Sequence, residues 1–126
     1  MIVLVTQNET FFANVAKRLR QSGKNCIGIM SLPDLWMTVR QQRPKMIILD
    51  LHDYQESPVN VLHRLDAEGY GGQTIVLAEA WEETLEHSKL GAIQIVGRPM
   101  SVNRVLCAIR IAQEHLHIEK HSVTAT

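Results

Sequence analysis

The stretch Arg43-Pro44-Lys45-Met46-Ile47-Ile48-Leu49-Asp50 decides the fold, because it is a buried-type apolar run that ends in a carboxylate. Similar short apolar runs, rich in Ile and Val, occupy residues 2–5, 26–30, 46–51, 74–78 and 93–96. Runs of this length and composition are typical of strands that are buried on both faces of a parallel sheet.

Segments with helical periodicity separate these runs. Helix starts are marked by Ser31, with Asp34 three residues later, and by Ser57 followed by Pro58. The apolar positions that we expect to face the sheet are Phe11, Phe12, Val15 and Leu19, then Leu35, Trp36 and Val39, then Val61, Leu62 and Leu65, then Trp81 and Leu85, and finally Val102, Val105, Leu106, Ile109 and Leu116.

Strict alternation of strands and helices predicts an α/β fold, a doubly wound five-stranded parallel sheet of order 2-1-3-4-5, flavodoxin-like with (βα)5 topology. In that order the winding reverses between strands 1 and 3, and a crevice opens at their carboxyl ends. We therefore expect Thr6, Gln7 and Asp50 to lie at the mouth of this crevice.

Composition indicates one domain, which we place at residues 1–119, with 120–126 a tail or the start of a linker to an output domain. Thirteen basic and thirteen acidic residues cancel, which argues against direct nucleic-acid binding by this domain. No apolar run is long enough for a membrane span or a signal peptide. Cys26 and Cys107 are expected to be buried reduced thiols, which fits a cytoplasmic protein.

The run that ends in Asp50, the Leu90-Gly91-Ala92 turn and the step Arg98-Pro99-Met100-Ser101 occur in the order and spacing of a known family. With these pieces the chain resembles the receiver domain of bacterial response regulators over most of its length. The resemblance makes Asp50 the equivalent of the phosphoacceptor aspartate.

The family's magnesium site is altered in this sequence. Its acidic pair falls on Thr6 and Gln7, and the backbone carbonyl that also binds the metal belongs to His52. Magnesium requires hard oxygen ligands, so a hydroxyl and an amide in place of two carboxylates imply weak or absent magnesium binding. Without the metal, nothing neutralises the incoming phosphoryl oxygens against Asp50.

Two further positions of the family pattern agree with this loss, and a third is altered but keeps its charge. The hydroxyl residue at the end of strand 4 falls on Ala78, and the switch aromatic of strand 5 falls on Ile95. The lysine falls on Arg98, which keeps the charge but has a planar donor geometry. In this degenerate pocket we expect Arg98 to pair with Asp50.

The fifth helix carries a second apolar line. Cys107, Ile111 and Ile118 lie on a different face from the residues expected to cover the sheet, and Trp81 of helix 4 can join them. Because receivers commonly pair through helix 4, strand 5 and helix 5, the resemblance implies a homodimer through this surface. An attached output domain, a histidine kinase or another signalling protein are the other partners implied.

We thus expect an atypical pseudo-receiver of a bacterial two-component regulator that affects transcription, is not an enzyme and needs no cofactor. One alternative is a phosphorylatable receiver whose acidic pocket is rebuilt from Glu9, Asp53, Glu56 or Glu79. A second alternative is a small-ligand sensor or enzyme on the same scaffold. The spacing of Asp50 and Asp53 is wrong for an aspartyl-phosphate phosphatase, and His115, His117 and His121 fit solvated helix-end histidines better than a metal site.

Overall fold

The computed structural model describes residues 1–52, 54, 56–78, 93–97 and 101–125, with the side chains of 78, 93–97 and 115–125 outside the description. The elements within these ranges are β1 (Ile2–Val5), α1 (Glu9–Gln21), β2 (Cys26–Ile29), α2 (Leu32–Gln42), β3 (Met46–Asp50), α3 (Pro58–Ala67), β4 (Gln73–Ala78), β5 (Ile93–Gly97) and α4 (Val102–Ala125). The fifth predicted helix is therefore α4. The predicted fourth helix, with Trp81 and Leu85, lies outside the described residues.

The strands form one parallel sheet of order β2-β1-β3-β4-β5, which is the doubly wound α/β arrangement expected from the sequence. Alternate strand residues face opposite layers. Ile2 and Leu4 pack in a core with α1 and α4. Val3 and Val5 pack in a second core with α2 and α3.

Side-chain caps begin the first three helices. The predicted starts are confirmed at α2, where Ser31 accepts a hydrogen bond from the N–H of Asp34, and at α3, where Ser57 accepts one from the N–H of Val59. Asn8 caps α1 by accepting from the N–H of Phe11 at 2.9 Å. Each cap satisfies a backbone donor that has no partner within the helix.

The prediction of a strand buried on both faces is wrong for β2. Ile27 is 38% exposed and Gly28 is also exposed, because β2 is an outer strand with only β1 beside it. On the other face, a Cβ at Gly28 would lie 2.9 Å from Cε1 of Phe12. The ring of Phe12 therefore covers the position where a side chain would otherwise stand.

The sheet-facing side of α4 includes the predicted Val105 and Ile109, together with Ala108 and Ala112. The helix continues to Ala125, so residues 120–125 are helical, while the domain boundary proposed at 119 stays a prediction. Within the described part of the chain, no helix is both long and apolar enough to cross a membrane.

The prediction of two buried thiols is wrong for Cys107, which is exposed, whereas Cys26 is half-buried and both are free. Cys107 lies on the side of α4 opposite the sheet-facing residues Val105, Ala108 and Ile109. Burial raises the pKa of the Cys26 thiol to about 11.

Candidate functional site

Asp50 ends β3 inside the protein and is only 5% exposed. Its Oδ2 accepts a hydrogen bond from the hydroxyl of Thr6, with an oxygen–oxygen distance of 2.7 Å. Thr6 follows β1 directly and is 3% exposed. Adjacent parallel strands thus bring together two polar side chains that are 44 residues apart in the sequence, at the place that the topology predicted.

The hydroxyl of Thr6 has a second partner. Its oxygen accepts a hydrogen bond of 3.1 Å from the backbone N–H of Asn8, the residue that caps α1. The backbone of Thr6 is itself fixed, because its N–H donates to the carbonyl of Ile29 at 3.1 Å. The Thr6 side chain therefore connects Asp50 to the amino-terminal end of α1.

Tyr54 covers the same end of the sheet. Its N–H donates to the carbonyl of Leu51 at 3.0 Å, and its hydroxyl donates to the carbonyl of Met30 at 2.6 Å. The side chain also packs against the core on the α2 and α3 side. Since β1 lies between β2 and β3, Tyr54 ties the segment after β3 to the end of β2 across the end of β1.

The other two predicted pocket residues at this end, Gln7 and His52, are exposed. Among the described pocket residues, Asp50 carries the carboxylate at the mouth of the crevice. One of its two oxygens accepts the hydrogen bond from Thr6. In the described part of the chain, no three His, Cys, Asp or Glu side chains are grouped closely enough to hold a metal ion. Proteins usually bind Mg²⁺ through one or two carboxylates together with several waters, and Asp50 is the one carboxylate among the described residues predicted to form the pocket.

The remaining predicted site residues are described in part. Ala78 ends β4 and pairs with Gly97, and Ile95 of β5 pairs with Val76, so both backbones have the positions expected for them. Their side chains lie outside the described atoms. Arg98, and with it the proposed pair with Asp50, lies outside the described residues.

The predicted interface residues are also described in part. Cys107 is exposed and Ile111 is 50% exposed, as an apolar line away from the sheet requires. Ile118 lies in α4, but its side chain is outside the description, as is Trp81 altogether. The pairing of two copies through this surface therefore stays a prediction.

Two residues of this site were missed in the sequence. The capping role of Asn8 could have been found, since Asn-Glu-Thr before the apolar positions of α1 is a typical helix start. Tyr54 carried a weaker signal, as a single aromatic residue between polar neighbours in the segment that follows Asp50. Its partner Met30 is 24 residues away, and no local pattern links the two.

No family model matches the chain. The probable transcriptional regulatory protein TcrX of Mycobacterium tuberculosis is 29% identical to it over 111 residues, which is 86% of this chain and 47% of TcrX. The chain thus spans about half the length of this curated relative.

Solved structures show what fold the chain has. The signal receiver domain of a putative Luxo repressor protein from Vibrio parahaemolyticus superimposes with a TM-score of 0.79 at 15% identity, covering 96% of this chain and 95% of that domain. The beryllofluoride-activated NtrC4 receiver domain dimer gives a TM-score of 0.76 at 20% identity, with coverage of 90% and 96%. The chain therefore has the flavodoxin-like α/β fold of receiver domains, as the resemblance in its sequence implied.

Proposed function

We propose that this chain is an atypical receiver of a two-component signalling system, one that acts through protein contacts and does not take up a phosphoryl group on Asp50 with magnesium. The observation that carries the proposal is the 2.7 Å hydrogen bond from Thr6 to Asp50. It places a neutral hydroxyl against the carboxylate, at the end of β1 where receivers place an acid.

Charge explains why this substitution matters. Each carboxylate in a magnesium site supplies a hard anionic ligand, and a charge-assisted contact is worth roughly twice a neutral one. With Thr6 and Gln7 in place of two acids, the pocket loses two negative charges. The hydroxyl of Thr6 also takes one of the acceptor positions of Oδ2, which leaves fewer lone pairs of Asp50 for a metal.

Restoration of the acids tests this reasoning. The protein is incubated with acetyl phosphate and magnesium, and intact mass detects a phosphoryl adduct. We expect no adduct on the wild type and an adduct on a Thr6→Asp, Gln7→Asp double variant. Adding Asp50→Asn to the double variant should remove the adduct, which assigns it to that carboxylate.

An adduct on Asp50 of the wild type would contradict the proposal and support the rebuilt pocket. Glu9 and Glu56 are exposed carboxylates in segments that follow β1 and β3, so they are the described residues to substitute next. A magnesium titration followed by tryptophan fluorescence separates the two cases independently, because only the rebuilt pocket should respond at millimolar metal.

The proposed partner is a second copy of the chain, bound through the surface with Cys107 and Ile111 on α4. Support comes from the 50% exposure of Ile111 and from the NtrC4 receiver, whose structure is that of a dimer. We also propose that the whole protein regulates transcription, which the name of TcrX supports, and that it acts in the cytoplasm.

Light scattering tests the dimer. Ile111→Glu should shift a wild-type dimer to monomer, because a charge would be buried in an apolar contact. Val59→Glu is the matched control, since Val59 is 38% exposed on α3 and lies outside the proposed surface. A wild type that is monomeric throughout the concentration range would exclude this interface.

A further inference from the structure

A pocket separate from the Asp50 site lies where the last turns of α1 meet the first turns of α4. It has a volume of about 230 Å³. Leucine and isoleucine side chains form part of its wall, and its polar lining consists of Arg18, Ser22, Lys24, Asn103, Cys107 and Arg110.

The lining contains three cations and no acid. Arg18 donates to the amide oxygen of Asn103 at 3.4 Å, and in the described part of the chain neither Arg18, Lys24 nor Arg110 forms an ion pair. Over the whole chain acidic and basic residues are equal in number. The cations of this pocket are therefore a local excess, not a reflection of a basic protein.

Helix electrostatics account for two of the three cations and leave Arg110 unexplained. Arg18 lies in the last turn of α1, where a cation interacts favourably with the partial negative charge of the helix end. Lys24 follows that helix, and Arg110 lies well inside α4. Lys24 shares the carboxyl end of α1, since its N–H donates to the carbonyl of Leu19 at 2.9 Å, whereas Arg110 has neither a helix terminus nor an ion-pair partner among the described residues.

We infer that this pocket binds a small phosphate-bearing anion. Two guanidinium groups can each donate paired hydrogen bonds to the oxygens of a phosphoryl group, and the ammonium of Lys24 adds a point charge. The volume suits one or two phosphoryl groups with a small organic remainder. The pocket is open to solvent, so its affinity should fall as salt rises.

Titration with inorganic phosphate and pyrophosphate at low ionic strength tests the inference, with backbone amide NMR shifts as the readout. We expect saturable shifts confined to the end of α1 and the start of α4, stronger with pyrophosphate than with succinate. Arg18→Gln should weaken binding about tenfold or more, because one charge-assisted hydrogen bond alone is worth about tenfold and the guanidinium can donate two. Arg20→Gln removes the same charge from the same turn outside the pocket and should leave binding unchanged.

Cys107 provides a second readout, because it lines the pocket and is exposed in the single chain; the Ile111→Glu variant keeps it accessible whether or not the wild type pairs through this surface. Bound pyrophosphate should slow its reaction with a negatively charged aromatic disulfide reagent. Peptide mass distinguishes this thiol from Cys26, which burial makes a weaker nucleophile.

Two results would overturn the inference: shifts that do not saturate, or equal weakening by Arg18→Gln and Arg20→Gln. Either would mean that the cations attract anions only diffusely. Neither result depends on what Asp50 does, so this test is independent of the phosphorylation experiment.

Discussion

Replacement of Thr6 by Val should destabilise the protein by about 2 kcal/mol. The substitution removes the hydroxyl that donates to Oδ2 of Asp50 at 2.7 Å. A hydrogen bond to a charged group contributes about 1.5–3 kcal/mol. The methyl group that replaces the hydroxyl is buried in the same volume and returns roughly 0.5 kcal/mol. The N–H of Asn8 also loses its acceptor, but this residue is exposed and water can replace the bond.

Urea denaturation followed by the fluorescence of the tryptophans is the assay. A loss of about 2 kcal/mol should lower the midpoint by about 1 M urea, at the slope of about 2 kcal/mol/M typical of small domains. Thr38→Val is the matched control, since its hydroxyl donates to the carbonyl of Asp34 at 2.8 Å near the surface of α2. That loss should stay within about 0.5 kcal/mol. If the two variants unfold at the same urea concentration, the buried hydrogen bond does not hold the site together as described.

Two further substitutions probe contacts away from Asp50. Glu68 accepts hydrogen bonds from Arg40 at 2.7 and 2.9 Å and from Arg64 at 3.1 Å, which lower the pKa of its carboxyl from 4.5 to about 2. The ionised Glu68 carboxylate therefore stabilises the protein fully above pH 4.5, and this stabilisation is lost as the pH falls through 2. In parallel urea titrations, Glu68→Gln should destabilise the protein at pH 6 and much less at pH 2. An equal effect at both pH values would contradict this ion-pair reasoning. Tyr54→Phe removes the hydroxyl that donates to the carbonyl of Met30, which should lower the free energy of unfolding by about 1 kcal/mol. Amide hydrogen exchange in the segment after β3 should become faster. Unchanged exchange would show that the hydroxyl does not restrain this segment.

The parts of the fold that were predictable are those set by local pattern. The bounds of β1 and the caps Ser31 and Ser57 follow from apolar runs and helix-start residues, and the structure places them where the sequence did. The exposure of Ile27 was not predictable from its own segment. The exposure depends on which strand lies at the edge of the sheet. The apolar sequence pattern of an edge strand can be the same as that of a central strand, so the pattern does not distinguish them.

The site divides in the same way. Topology alone brought Thr6 beside Asp50, because parallel strands end at one edge. Whether the two side chains form a hydrogen bond depends on side-chain torsions that no spacing encodes. The bond from Tyr54 to Met30 joins the segments that follow β3 and β2, two strands that are not neighbours. The exposure of Cys107 depends on what covers α4. Neither could be predicted from the sequence.

The two bonds of Thr6 have a consequence for how the protein could report on Asp50. A hydroxyl carries a single proton, and the N–H of Asn8 approaches its oxygen from the helix side, so that proton is left to the carboxylate. Loss of the negative charge of Asp50, for example by protonation, would weaken this acceptor, so the Thr6 side chain would be held less firmly and would rotate more easily. The rotation would release the N–H of the capping residue, so the start of α1 is only two hydrogen bonds away from events at the carboxylate.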